Sequence, residues 1–296
     1  MSNPKEIKKR ILSINSVLKT TESMKMISVV KLKKSKESLL YVQKYSEHIE
    51  KLFQYFLLTE KDNLKKNKYF FSTEKKEKKR LFLIITSNRG LCGAFNSLIF
   101  DKINQIIQEN LHDQCFFFSI GKKGLDFLFK KYKWKIYDEN QIFFKNFTYK
   151  YKEICFFTKK LIEDFFSKKI TSIFLIYNHL KNSLFQKVIV EKFLPISFSV
   201  SNSYEKSLND FNPILEPSKK IILDYIFQKY LNIKLFKRLL ESLTSEHTAR
   251  MISMHKATEN AFDIRKNLLL NYNKERQTTI TKEILEIISG LEALKK

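Results

Sequence analysis

The sequence predicts an α/β chain: a long antiparallel coiled coil of the N- and C-terminal helices plus a small open parallel-sheet domain. Three observations predict it. Residues 5–89 and 218–289 contain neither proline nor glycine. Both terminal stretches repeat apolar residues at alternating steps of four and three. Between them, short apolar runs alternate with amphipathic ones. An unbroken helix from about Lys5 to Glu60 spans roughly 80 Å, and one from about Ser218 to Leu294 exceeds roughly 100 Å, at about 1.5 Å per residue. No compact domain needs helices of that length, which suit a lever, spacer or shaft.

The first helix carries Ile7, Ile11, Ile14 and Leu18, and resumes the same register at Leu32, Leu39, Val42, Ile49, Phe53 and Phe56. That is a heptad seam. Thr21, Lys25, Ser28 and Ser35 fill its middle, where the seam either packs closely on small residues or faces another protein. Pro4 suits a first helical position, with Asn3 as N-cap. The last helix carries Ile233, Phe236, Leu240, Leu243, Met254, Ala257, Ala261, Ile264 and Leu268, interrupted by His247 and Arg250. A second set, Ile280, Ile284, Ile287, Leu291 and Leu294, follows the polar stretch Asn271–Glu283 in a shifted register. Such stripes need cover. Antiparallel pairing is expected to bring Ile7–Leu18 near the second set and Phe53–Phe56 near Ile233–Leu243.

The implied organisation is a helix over 1–60, a charged connector over 61–79, an α/β domain over 80–215 and the last helix over 216–296. Leu81–Ser87 reads as a buried strand, followed by a helix from about Ala94 to Asn110. Cys115–Ile120 reads as a second strand, Gly121–Lys131 as turn and helix, Ile170–Tyr177 as a third strand and Val188–Pro195 as a fourth. Strand–helix alternation indicates an open, Rossmann-like parallel sheet. Residues 132–168, rich in Phe and Lys, give no clear pattern.

The formal net charge of +24 invites a nucleic-acid reading. Only seven of the 55 basic residues are arginine, the preferred base reader. Lys, Ile, Asn and Phe rise together, as an AT-rich genome dictates. A basic coiled-coil scaffold for nucleic acid is therefore the alternative, not the first reading. Cys92, Cys115 and Cys155 are odd in number and widely spaced, which fits reduced thiols. The five histidines form no HExxH and no Cys/His set. The apolar runs are too short to cross a bilayer, and Met1–Lys5 leads into a charged helix without an apolar signal core. An intracellular chain is expected, reaching any membrane through partners.

Ser87-Asn88-Arg89-Gly90-Leu91-Cys92-Gly93 ends a strand and opens a helix, a context in which helix N-termini bind anions. It is neither a GxxxxGK[ST] loop nor a full GxGxxG. Tight turns that require glycine explain it, and the Gly121–Gly124 run, without a ligand. No paired carboxylates, triad or metal set appears, so neither catalytic residues nor a cofactor is expected.

KEIKKRILSINSVLKTTESMKMISVVKLKKSK resembles the N-terminal helix of the gamma subunit of rotary F-type ATP synthases. SNRGLCGAFN resembles that family's central TDRGLCGGLN-like signature. ESLTSEHTARMISMHKATENA and YNKERQTTITKEILEIISGLEAL resemble its C-terminal helix. The resemblance implies a central stalk that rotates inside a hexamer of alpha and beta subunits. The α/β domain would meet an epsilon subunit and the membrane c-ring, with no nucleic-acid partner and with catalysis left to beta. It implies a peripheral position on the cytoplasmic face of the bacterial inner membrane. It also implies beta-subunit contacts at Arg276, Gln277 and Thr281, at Met24 and Lys25, and at Glu246 and Arg250. One departure stands out. A KAMEM-like run reads here Glu22-Ser23-Met24-Lys25-Met26, with its two charges exchanged, and Glu22 and Lys25 are expected to pair at i,i+3.

Overall fold

A computed structural model describes residues 4–59, 69, 79–109, 114–137, 150–180, 182, 185–196, 216 and 218–294. In chain order the elements are α1 (Pro4–Thr59), β1 (Lys79–Ile85), α2 (Phe95–Glu109), β2 (Gln114–Ile120), α3 (Lys122–Lys131), a 3-10 turn (Lys133–Lys135), α4 (Tyr151–Phe166), β3 (Ser172–Leu180), β4 (Gln186–Leu194) and α5 (Lys219–Leu294). Both predicted terminal helices are present and unbroken. The Asn3 cap, most of the connector and residues 197–215 lie outside the described residues. The chain forms two compact units, one of Met1–Val30 with Arg250–Lys296, the other of Lys31–Ala249. They cut both long helices rather than following helix ends.

In the first unit, α1 and α5 lie side by side. Ile7, Met254 and Ala261 are buried. Thr258 Oγ1 donates to Thr21 Oγ1 at 3.0 Å. Antiparallel helices of equal rise keep the sum of facing residue numbers constant, so Ile7 faces about residue 272. This corrects the expected pairing: Ile7–Leu18 lies opposite roughly 261–272, and the set from Ile280 onward runs past the start of α1. Every large apolar residue from Ile280 to Leu294 is at least 43% exposed. The seam expectation also fails at Ile264, which is exposed.

In the second unit, the heptad seam of α1 continues through Leu32, Ser35, Ser46, Ile49, Phe53 and Phe56, all buried. The small seam residues let the backbones approach. Ser35 Oγ satisfies itself on the Leu32 carbonyl at 3.0 Å. Phe53 stacks on Tyr230 at 4.2 Å and meets Phe227 edge-on at 5.3 Å, while Lys237 Nζ reaches Ser46 Oγ at 3.3 Å and Glu50 Oε1 at 3.4 Å. Phe53 therefore sits about two helical turns earlier on α5 than the expected Ile233–Leu243.

The sheet has strand order β2-β1-β3-β4. β1 is parallel to β2 and β3, whereas β4 is antiparallel to β3. The sheet is thus open and mixed rather than wholly parallel. Only residues 181–185 separate β3 from β4. A parallel return needs a crossover of about a dozen residues, so a short link forces an antiparallel partner. On one face Leu81, Leu83, Ile85, Ile173 and Leu175 meet Phe53, α4 and the Phe227–Leu239 part of α5. On the other, Phe82, Ile84, Phe117 and Ile176 meet Phe95, Ile99 and Ile103 of α2 and Leu128 of α3. Burial on both faces explains why β1 reads as a continuous apolar run. α4 fills part of the stretch the sequence pattern left open.

One ionic cluster ties α5 to the antiparallel edge. Arg238 donates Nε to Glu191 Oε2 at 2.7 Å and Nη1 to Glu241 Oε1 at 3.0 Å. Lys234 Nζ lies 3.1 Å from Glu191 Oε1. Burial alone would raise the Glu191 carboxyl, but hydrogen bonds and charge from Arg238 and Lys234 outweigh it and hold it below its ordinary value.

Two outcomes follow from these contacts. Cysteines at Thr21 and Thr258 are expected to crosslink readily under mild oxidation, and a pair at Ile11 and Ile284 to fail; the reverse pattern would contradict the register. Arg238→Gln removes the guanidinium that Glu191 and Glu241 share, leaving Glu191 only Lys234, and is expected to cost about 3 kcal/mol at neutral pH. Because the Glu191 carboxyl is depressed in the folded chain, its contribution is complete above about pH 4.3 and is lost as pH falls through the lowered value. Thermal melts from neutral pH down to pH 3 check this: the wild type should lose its advantage over Arg238→Gln across that acid window.

Candidate functional site

The contact residues implied by the family resemblance fall in three settings. Met24 and Lys25 are half-buried on α1, with Glu22 exposed beside them. Lys25 and Glu22, but not Met24, border an open groove of about 1030 Å³ that also meets Leu18, Thr258, Glu259, Phe262 and Arg265. The groove mixes both charge signs with the exposed ring of Phe262. The expected Glu22–Lys25 ion pair is not formed. A surface pair at this spacing is worth only a few tenths of a kcal/mol, too little to hold two solvated side chains together. Both charges are therefore open toward the groove.

Arg276, Gln277 and Thr281 are exposed on the last third of α5. Thr281 Oγ1 donates back to the Gln277 carbonyl at 2.9 Å, and Thr278 and Thr279 do the same to Lys274 and Glu275 at 3.0 and 2.8 Å. These hydroxyls are thus committed to their own helix, while the Arg276 guanidinium and the Gln277 amide extend outward. The uncovered apolar set begins at Ile280, directly beyond them.

Glu246 and Arg250 stand apart. Each is only 8% exposed and has partners within the fold. They belong to a polar stretch, Glu241–Arg250, in which Ser242, Thr244, Ser245, His247 and Thr248 are also buried. Thr244 and Thr248 bond back to Leu240 and Thr244 at 2.8 and 2.9 Å. At these two positions the chain presents a packed interior more than a contact surface.

The glycine-bearing loop after β1 is a latch within the second unit. Lys122 N donates to Asn88 Oδ1 at 3.1 Å, Lys123 N to the Ser87 carbonyl at 3.1 Å and Gly124 N to Thr86 Oγ1 at 2.9 Å. These are the first amides of α3, the groups with which a helix start would hold a phosphate. They are already engaged. Asn96 grips the loop from α2, donating to Ser87 Oγ at 2.8 Å and accepting from Ser87 N at 3.2 Å. Gly121 has φ 115°, and an added Cβ would strike the Thr86 carbonyl; one at Gly124 would strike Ser119 Oγ. Gly93 is also left-handed, at φ 57°. Gly90 differs: a Cβ there would meet only the far end of Lys123 at 3.9 Å.

Sequence reasoning missed the Arg238–Glu191–Glu241 cluster and the groove residues of α5. A signal existed for the first: with so few arginines in the chain, one set inside an apolar stretch three residues before a glutamate marks a buried ion pair. Among the described residues no His, Cys, Asp and Glu group is arranged to hold a metal ion, and no helix is long and apolar enough to cross a membrane.

Comparison with known proteins agrees with this architecture. The ATP synthase family model matches residues 3–294. An ATP synthase gamma chain from Flavobacterium johnsoniae is 40% identical over 294 residues, covering 99% of both chains. One from Buchnera aphidicola is 34% identical, again over 99% of each. Among solved structures, the rotor of the Euglena gracilis mitochondrial ATP synthase superposes with a TM-score of 0.59 at 15% identity, covering 94% of this chain and 98% of the other. The central stalk and c-ring assembly of the Tetrahymena thermophila enzyme gives a TM-score of 0.55 at 21% identity, covering 80% and 99%. At such identities the structures speak for the fold, while the full-length sequence matches speak for kinship: the chain belongs to the ATP synthase gamma-chain family.

Proposed function

We propose that this chain is the central rotating stalk of a proton-driven F-type ATP synthase, coupling rotation of a membrane ring to conformational change in catalytic beta subunits. The observation that carries the proposal is the overhang of α5. Its last turns expose Ile280, Ile284, Ile287, Leu291 and Leu294, with no helix among the described residues to cover them. Exposed apolar residues on this scale mark an interaction site, and a surrounding ring of alpha and beta subunits would supply the cover. On this reading the second unit meets epsilon and the c-ring, and the complex works at the cytoplasmic face of the bacterial inner membrane. The chain itself contributes no catalytic group.

Arg276, Gln277 and Thr281 would meet one beta subunit as it closes, and Met24 and Lys25 would meet the lower part of beta, Lys25 from the rim of the groove. Glu246 and Arg250, being buried, would act by fixing the helix surface around them. An asymmetric shaft biases each beta subunit only through a difference in contact free energy between beta conformations. Rotation then exchanges the faces in turn. Exposed lysine contacts worth roughly 0–1 kcal/mol each release readily at every step.

Arg276→Ala removes a charge-assisted hydrogen bond worth roughly 1.5–3 kcal/mol where its partner is desolvated. Multisite ATP turnover of the reconstituted complex is expected to fall about tenfold or more, while the melting of the free chain shifts by less than about 0.5 kcal/mol. Loss of stability with normal turnover would make Arg276 merely structural. Calorimetric titration of the free chain with Mg-ATP is expected to give no stoichiometric micromolar heat, since the first amides of α3 are already bonded. A one-to-one micromolar heat would favour a nucleotide-binding enzyme instead.

A further inference from the structure

α5 carries two apolar rows, and α1 addresses only one of them. The row facing α1 runs through Met254, Thr258, Ala261, Arg265, Leu268 and Tyr272, buried or half-buried at alternating steps of four and three. Thr258 marks its direction by donating to Thr21 of α1 at 3.0 Å. The same steps lead on to Lys282, Glu286 and Ser289, all polar. Ile280, Ile284, Ile287, Leu291 and Leu294 keep the four-three spacing, but each stands one or two residues further on. At about 100° per residue they lie at least a quarter of a turn round the helix. A longer α1 would still leave this second row bare.

Its spacing is that of a coiled-coil seam, which a second helix fits. The row is also complementary to itself. Laid antiparallel on a second copy, Ile280 faces the other Leu291 and Ile284 the other Ile287, and the two-fold axis repeats both layers. Beside the seam Glu283 falls opposite Gly290 and Thr281 opposite Ile288, so no like charges meet. The antiparallel sense carries the two folded bodies to opposite ends, clear of each other. Ile280 is 43% and Leu294 86% exposed, with Ile288 flanking them at 47%. Burying these six side chains from each copy removes roughly 1,000 Å² of surface, the low end of specific interfaces, which suits a weak and reversible pairing. Glu283, Glu286 and Glu292 outnumber Lys282 on the overhang. It is therefore not the basic amphipathic helix that an anionic membrane attracts.

We propose that the unassembled chain pairs with a second copy, overhang to overhang and antiparallel, through the row Ile280–Leu294. The pairing shields the row while the chain stands alone. It rests on the overhang itself and not on the stalk reading; only its release on assembly rests on that reading, since a surrounding hexamer would take the same row.

Sedimentation of the full-length chain across the micromolar range tests this. The mass should rise with concentration from 35.4 kDa to twice that value and no further. Ile284→Asp should weaken the pairing at least about tenfold, whereas Leu285→Asp, 59% exposed on the far side of the helix, should leave it intact. Circular dichroism confirms that both variants keep their helices. Crosslinking decides the matter should Ile284→Asp disturb the fold. In a Cys155→Ser background, a mixture of the Ile284→Cys and Ile287→Cys chains should crosslink faster than either chain alone. A chain that stays monomeric, pairing that Ile284→Asp does not weaken, or fastest crosslinking of Ile284→Cys to itself would overturn the proposal. Adding an alpha–beta hexamer separates the two readings. A monomer that joins the hexamer sinks the pairing alone, while a dimer that the hexamer does not dissolve keeps the pairing and removes the stalk reading.

Discussion

Two long helices, each with an apolar stripe too narrow to stand in water, must cover one another, and the register of that cover governs the rest of the chain. Ser28, Ser35 and Ser46 stand where larger seam residues would hold the helices apart. Their hydroxyls bond within α1: Ser28 to the Met24 carbonyl at 2.8 Å, Ser35 to Leu32 at 3.0 Å and Ser46 to Glu50 at 2.6 Å. Close approach therefore leaves no orphaned hydroxyl at these positions. Because α5 is twenty residues longer than α1 (76 against 56), an antiparallel register that matches Thr21 to Thr258 leaves its last turns uncovered. Length difference and register together create the surface on which a surrounding ring of subunits would act.

The second unit solves a different problem. Its sheet is buried on both faces, and α1 and α5 supply part of that cover through Phe53, Phe227, Leu231 and Leu235. Apolar contact alone does not fix how α5 lies along β4. Arg238 does, by spanning Glu191 on the strand and Glu241 on its own helix, with its guanidinium 5.5 Å from the Tyr177 ring centre. Buried charge pairs contribute little net stability over an apolar replacement, but a misregistered helix would strand Glu191 from Arg238 and Lys234 at several kcal/mol. The cluster thus sets position more than strength.

Much of this was legible. The absence of proline and glycine marked both helices, and of the α1 seam its spacing implied, Ile7, Leu32, Ile49, Phe53 and Phe56 are buried while Ile11, Ile14, Leu18, Leu39 and Val42 are half-buried. Three features escaped for physical reasons. α4 buries Ile154, Phe157, Leu161 and Phe165 at helical spacing, but the exposed Phe156, like the half-buried Phe166, blurs that period. The direction of β4 depends on the length of a link, not on the strand's own residues. The register of the coiled coil depends on where the partner helix ends, which a repeat of seven does not encode. The proposed contact residues were legible only through family likeness: Arg276 and Gln277 are indistinguishable by pattern from any solvated helix face, and the burial of Glu246 and Arg250 follows from packing around α5 that its own sequence does not announce.

The central claim is that this chain turns while its partners stay fixed. A bead attached through a cysteine placed at exposed Lys122, with the alpha–beta hexamer anchored to glass, tests it most directly. The account predicts rotation in one direction when ATP is supplied, in steps that follow the ring's pseudo-threefold symmetry and with a rate set by ATP concentration. Steady ATP hydrolysis by a complex whose bead does not turn would contradict it.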